Sequence, residues 1–124
     1  MKRNLKWIWL PLLFAGSACV QKTYRKTVVF TLHTENSKDI KTVGLRGEGS
    51  PLSWRKDTLM NTLVKDSLYQ LTISAVTGYK FVEVKFTING EFELKEKPNR
   101  RVEFADGDTT FYEARFDVEG VVKM

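Results

Sequence analysis

From Val28 onward, apolar and polar residues alternate in short runs broken by turn formers, the period of two that half-buried strands require. In "TVVFTLHT" the pattern puts Val28, Phe30 and Leu32 on one face, and "IKTVGLRG" follows. "SLYQLTIS" offers Tyr69, Leu71 and Ile73 inward, and "FVEVKFTI" sets Val84, Phe86 and Ile88 against Glu83, Lys85 and Thr87. Then come "EFEL", "RRVEFA" with Val102 and Phe104 inward, and "FYEARFDV" with Tyr112, Ala114, Phe116 and Val118 inward. The connections "ENSKD", "GEGSPLSW", "VTGYK", "NG" and "ADGDT" carry Gly, Asn, Asp or Pro. Short strands with such turns predict an all-β sandwich or barrel. About seven or eight antiparallel strands is an ordinary number for a sandwich of this length. Asn89-Gly90 suits a type I′ turn, so residues 82–88 are expected to pair with 91–95.

The chain before this pattern is of another kind. Residues 1–18 begin with Lys2, Arg3 and Lys6 and continue as "WIWLPLLFAG", an apolar run too short to span a bilayer comfortably, and read as an export signal. "GSAC" ends the run at Cys19, the single cysteine, and resembles the lipobox of bacterial lipoproteins, with Gly16 departing from the usual aliphatic residue. That resemblance implies cleavage before Cys19 and lipid attachment to it. The alternative is an ordinary signal peptide cut near Ala18 that leaves a free thiol. A disulfide within the chain is excluded.

Cleavage after residue 18 leaves 106 residues, enough for one domain with one core. The expected organisation is a signal at 1–18, a tether at 19–27, a sandwich at 28–118 and a tail at 119–124. Lys22, Arg25 and Lys26 then belong to a polar tether able to touch anionic headgroups or to stand in solvent. The charge picture also changes, because the full chain's +5 falls to seventeen Lys and Arg against fifteen Asp and Glu, a balance of +2. Such a balance gives no footprint for nucleic acid. A bacterial cell-envelope location follows. Val20 after the cysteine, where an aspartate would signal inner-membrane retention, favours the outer membrane.

Catalytic, metal and cofactor sites are not expected. His33 is the only histidine and lies on the outward side of its strand, so neither a structural zinc site nor a Ser-His-Asp triad can be assembled around it. Phosphate loops and dinucleotide fingerprints are missing. Glu91, Glu93, Glu96 and Asp106 read as solvated surface charge, and "DGD" at 106–108 as a turn.

What remains is Trp54 in the polar segment "GSPLSWRKD", with Lys85, Phe92 and Asn99. Flat aromatic rings flanked by a few hydrogen-bonding side chains suit sugars, whose ring faces carry C–H patches among many hydroxyls. The ordered features "VVFTLHT", "VGLRGEGSPLSW", "LYQLTIS", "VEVKFTINGEFEL" and "PNRRVEF" resemble the starch-binding modules of carbohydrate-binding family 20 and the glycogen-binding modules of family 48. The resemblance covers about residues 27–118. It implies an immunoglobulin-like sandwich in which Trp54 stacks on glucose, Lys85 and Asn99 reach hydroxyls, and a second aromatic follows the turn. Phe92 fits that position by one count, whereas counting back five residues from Asn99 gives Leu94. Two functions follow as expectations: a non-catalytic α-glucan-binding lipoprotein, or an accessory sandwich that binds a protein partner after losing sugar binding.

Overall fold

The computed structural model describes residues 22–122 apart from Asn36, so the signal expected at 1–18 and Cys19 lie outside it. The described residues form an all-β sandwich of nine strands in two sheets. They are β1 (Tyr24–His33), β2 (Val43–Gly47), β3 (Thr58–Leu59), β4 (Asn61–Val64) and β5 (Leu68–Thr77), then β6 (Phe81–Ile88), β7 (Glu91–Phe92), β8 (Arg100–Glu103) and β9 (Thr109–Arg115). One sheet has the order β4-β5-β1-β9; in the other β3-β2-β6 is continued by β7 and β8, which share the far edge of β6.

Alternation places the core as expected. Val28, Phe30, Leu32, Tyr69, Leu71, Val84, Phe86, Ile88, Val102, Tyr112 and Ala114 are buried between the sheets. Phe30 on β1 meets Phe86 on β6 edge to face, with ring centroids 6.1 Å apart, and Tyr112 on β9 at 6.0 Å. The first contact joins the two sheets and the second joins neighbouring strands of one sheet, both in the preferred aromatic geometry.

The departures from expectation have physical causes. β1 begins at Tyr24, so Arg25 and Lys26, assigned to the tether, are strand residues paired with Val76 and Ala75. β1 and β9 run parallel, in register from Thr27↔Thr109 to His33↔Arg115, whereas every other pair is antiparallel. This follows from β9 reaching β1 from the other sheet through the 104–108 connection, not through a hairpin. β3 and β4 left no alternating signal, because β4 is exposed throughout. Buried Met60 stands between them where the chain passes from one sheet to the other. Val118 is exposed, because β9 ends at Arg115 and Asp117 turns the chain at a positive φ.

The hairpin turn is as anticipated, with Asn89 at φ 54° and Gly90 at φ 80°. Its ladder is shorter: Ile88↔Glu91 and Thr87↔Phe92 pair, and then it stops. The cause is Glu93, expected on the surface and found fully buried against Arg100. One carboxylate oxygen of Glu93 accepts from Phe86 N at 3.0 Å and Arg100 Nε at 2.5 Å; the other accepts from Arg100 Nη2 at 2.8 Å and Asp117 N at 3.0 Å. Arg100 also donates to the carbonyls of Arg115, Val118 and Gly120 and to the Tyr112 hydroxyl. Burial alone would lower the arginine's pKa, but the hydrogen bonds and charges of Glu93 and Tyr112 outweigh it, and the pKa is raised above its ordinary value. The arginine's contribution is thus fully present below that ordinary value and is lost only as pH rises through the still higher folded one.

Removing one member of this pair, as in Glu93→Ala or Arg100→Ala, leaves a buried charge unpaired and should destabilise by about 3–5 kcal/mol. Phe86→Ala should cost about 3–5 kcal/mol as well, and Phe116→Ala, only partly buried, clearly less. Denaturant midpoints check both, and a midpoint within error of wild type for either charge variant would contradict the assignment.

Candidate functional site

The outward face of the second sheet gathers the residues singled out by sequence. On β6 the outward positions are Glu83, Lys85 and Thr87, and register sets Arg46 of β2 opposite Lys85 and Phe92 of β7 opposite Thr87. The 48–57 connection between β2 and β3 carries Trp54 over this face. The Trp54 and Phe92 rings lie 6.4 Å apart, inclined at 49°, and both side chains are half-buried. Leu94, the other residue weighed for the second platform, is buried, with its backbone at φ 49°. Phe92 therefore accompanies Trp54.

Phe92 points outward because its neighbour points inward. With Glu93 committed to Arg100, strand alternation leaves the preceding residue facing the other side. The indole N–H of Trp54 donates to Glu48 at 2.9 Å, fixing the ring from the end of β2.

Arg46 is the residue that sequence reasoning passed over. Its guanidinium lies 4.9 Å from the Phe92 ring centroid, donates to the Trp54 carbonyl at 3.2 Å and to Asp57 at 2.7 Å. It thereby holds both aromatic residues, by stacking on one and by hydrogen bonding to the backbone of the other. Asp57 also accepts from the Thr87 hydroxyl at 2.9 Å. Gly44 makes room for this: a Cβ there would come within 2.8 Å of both Asp57 and the Thr87 oxygen. The available signal was Arg46's outward parity beside inward Leu45.

Lys85 is outward but not free in solvent. Its ammonium donates to the carbonyls of Leu94 at 2.9 Å and Lys97 at 3.0 Å, tying down the 94–97 turn. An ammonium has three donors, so one remains to face a ligand. Asn99 is exposed, and its amide donates to Glu83 at 3.1 Å, two residues along β6 from Lys85. The structure thus brings Trp54 and Phe92 into contact and sets Lys85 and Asn99 farther along the same face.

The other candidates behave differently. His33 is half-buried on the opposite sheet's outer face and bonds Glu113 at 2.5 Å. The 106–108 segment turns between β8 and β9 and offers the Gly107 carbonyl to Lys26. Among the described residues no group of three His, Cys, Asp or Glu is placed to hold a metal ion.

No family model matches the chain, and no curated protein matches it. The chemistry of this face is therefore what speaks to function: two aromatic rings, a stacked guanidinium, an ammonium and an amide, with Trp54, Arg46 and Asn99 held by carboxylates and Lys85 by backbone carbonyls.

Arg46→Ala should release Phe92 and the Trp54 loop and leave Asp57 with Thr87 alone, at a cost of about 1.5–3 kcal/mol. In the chain cut before Cys19, Trp54 is the only tryptophan. Its emission should move to the red in the variant. An unchanged spectrum and midpoint would show that Arg46 positions neither ring.

Proposed function

We propose that this protein is a non-catalytic carbohydrate-binding module of the bacterial cell envelope, anchored through lipid on Cys19, which takes α-glucan chains on the outward face of the second sheet. The observation that carries the reading is the Trp54–Phe92 pair, 6.4 Å between centroids and accessible on a sheet surface. Two rings at this spacing offer an apolar platform to successive sugar faces, while Lys85 and Asn99 supply donors for the hydroxyls. The likeness of "PLSW", "VKF" and "PNR" to starch- and glycogen-binding modules supports the same ligand class. The inclination of 49° between the rings suits a curved chain better than a flat one.

A second reading, an accessory sandwich that binds a protein partner, draws on two observations. Lys85 spends two of its donors on the Leu94 and Lys97 carbonyls, and Leu94 is buried where the family's spacing would place a second platform. That arrangement is what a decayed sugar site would leave.

Retardation in a native gel containing amylopectin, followed by calorimetry with maltoheptaose, separates the two. Trp54→Ala should weaken binding by about 1–3 kcal/mol, as loss of other aromatic stacking platforms does, with folding retained. Phe92→Trp should strengthen it by enlarging the platform. Wild type that gives no heat at millimolar sugar, with no gain from Phe92→Trp, would favour the protein-binding reading.

A further inference from the structure

At one end of the sandwich, where the rim shares Glu48 and Glu83 with the Trp54 face, the two sheets do not close. Along β1 the inward positions run from Val28 to Lys26 and Tyr24, and along β5 from Ile73 to Ala75 and Thr77, so the last layer holds a small residue and polar ones instead of large apolar ones. The result is a cleft of about 670 Å³, lined by Val28, Leu52, Ile73, Ala75, Val82 and Phe104. That volume lies within the range of small-ligand sites, and the lining is of their apolar kind.

The rim has its own character. Val76 and Tyr79 border the cleft at 58% and 71% exposure, and Tyr24, paired with Thr77 of the lining, is at 51%. Arg25 and Lys80 are exposed next to these apolar side chains. Lys26 faces the opening with its ammonium on the carbonyls of Ala105 and Gly107. The two carboxylates at the rim are already engaged, Glu48 by Trp54 and Glu83 by Asn99. Exposed tyrosines with flanking cations are the side chains that settle at a membrane interface, rings at headgroup level and charges toward anionic lipid.

Position supplies the occupant. Cys19 precedes Tyr24 by five residues, a reach of roughly 17 Å at ~3.3–3.6 Å per residue. Tyr24 pairs with Thr77 of the cleft wall, so the tether leaves from the rim itself. We infer that this open end of the sandwich is a second binding site, which rests on the bilayer and takes one acyl chain of a membrane phospholipid. The inference rests on the envelope location of the proposed function but not on its glucan site.

Photo-crosslinking tests it. The full chain is reconstituted in phosphatidylethanolamine and phosphatidylglycerol vesicles containing a phospholipid with a diazirine near the end of one acyl chain, irradiated, and mapped by mass spectrometry. Adducts should concentrate on peptides containing residues 73–79 and 104. Ala75→Phe, which fills the cleft, should lower their yield about tenfold, as a loss of ~1.4 kcal/mol in affinity would. Tyr79→Ser, at an exposed position that leaves the fold intact, should lower it in the same direction and decides the matter if Ala75→Phe does not fold. Cys19→Ser should keep the adducts, because its uncleaved leader still holds the chain at the bilayer; this separates failure of lipidation from failure of the cleft. Adducts scattered over both sheet faces, adducts unchanged in Tyr79→Ser, or their loss in Cys19→Ser would each overturn the inference.

Discussion

The ion pair between Glu93 and Arg100 is the interaction on which the β7 and β8 edge of the second sheet depends. A carboxylate and a guanidinium removed from water cost several kcal/mol each unless their hydrogen-bonding capacity is met. Here each carboxylate oxygen accepts two hydrogen bonds, and the guanidinium donates to Glu93, Tyr112 and three backbone carbonyls. Partners come from β6, from the segment after β9 and from β9 itself. The pair therefore fastens the end of the hairpin and the chain that follows the last strand to the same point.

The candidate site is a consequence of that fastening. Because Glu93 is drawn inward, Phe92 is set outward and the ladder of β7 ends after two residues, which lets the 94–97 turn lie where Lys85 can hold it. Arg46 then stacks on Phe92 and holds Trp54 from the neighbouring strand. A buried pair of charges on one side of the sheet thus fixes an aromatic pair on the other, through the strict alternation of strand side chains.

Much of this was legible in the sequence where a period of two was long enough to read. The inward residues of β1, β5 and β6 follow from alternation alone, and Asn89-Gly90 announced its turn. β3 and β4 were not legible, because two- and four-residue edge strands with exposed side chains carry no alternating contrast. Glu93, the second glutamate of "EFEL", reads as a surface charge, since a buried carboxylate is recognised only by its partner, and Arg100 is seven residues away across a turn. Arg46 was hidden for a similar reason: an outward arginine on a strand is ordinary until Phe92 is known to lie under it.

The account centres on one face with two rings, so the resonances of those rings are where it is most directly tested. In the chain cut before Cys19 the indole N–H of Trp54 is a single signal, and it can be followed while maltoheptaose is added, together with the Phe92 ring and an exposed control, Phe111 on the other sheet. The account predicts that the Trp54 and Phe92 signals move together along one saturating curve while Phe111 stays still. Stationary Trp54 and Phe92 signals at millimolar sugar, or equal shifts at Phe111, would contradict it.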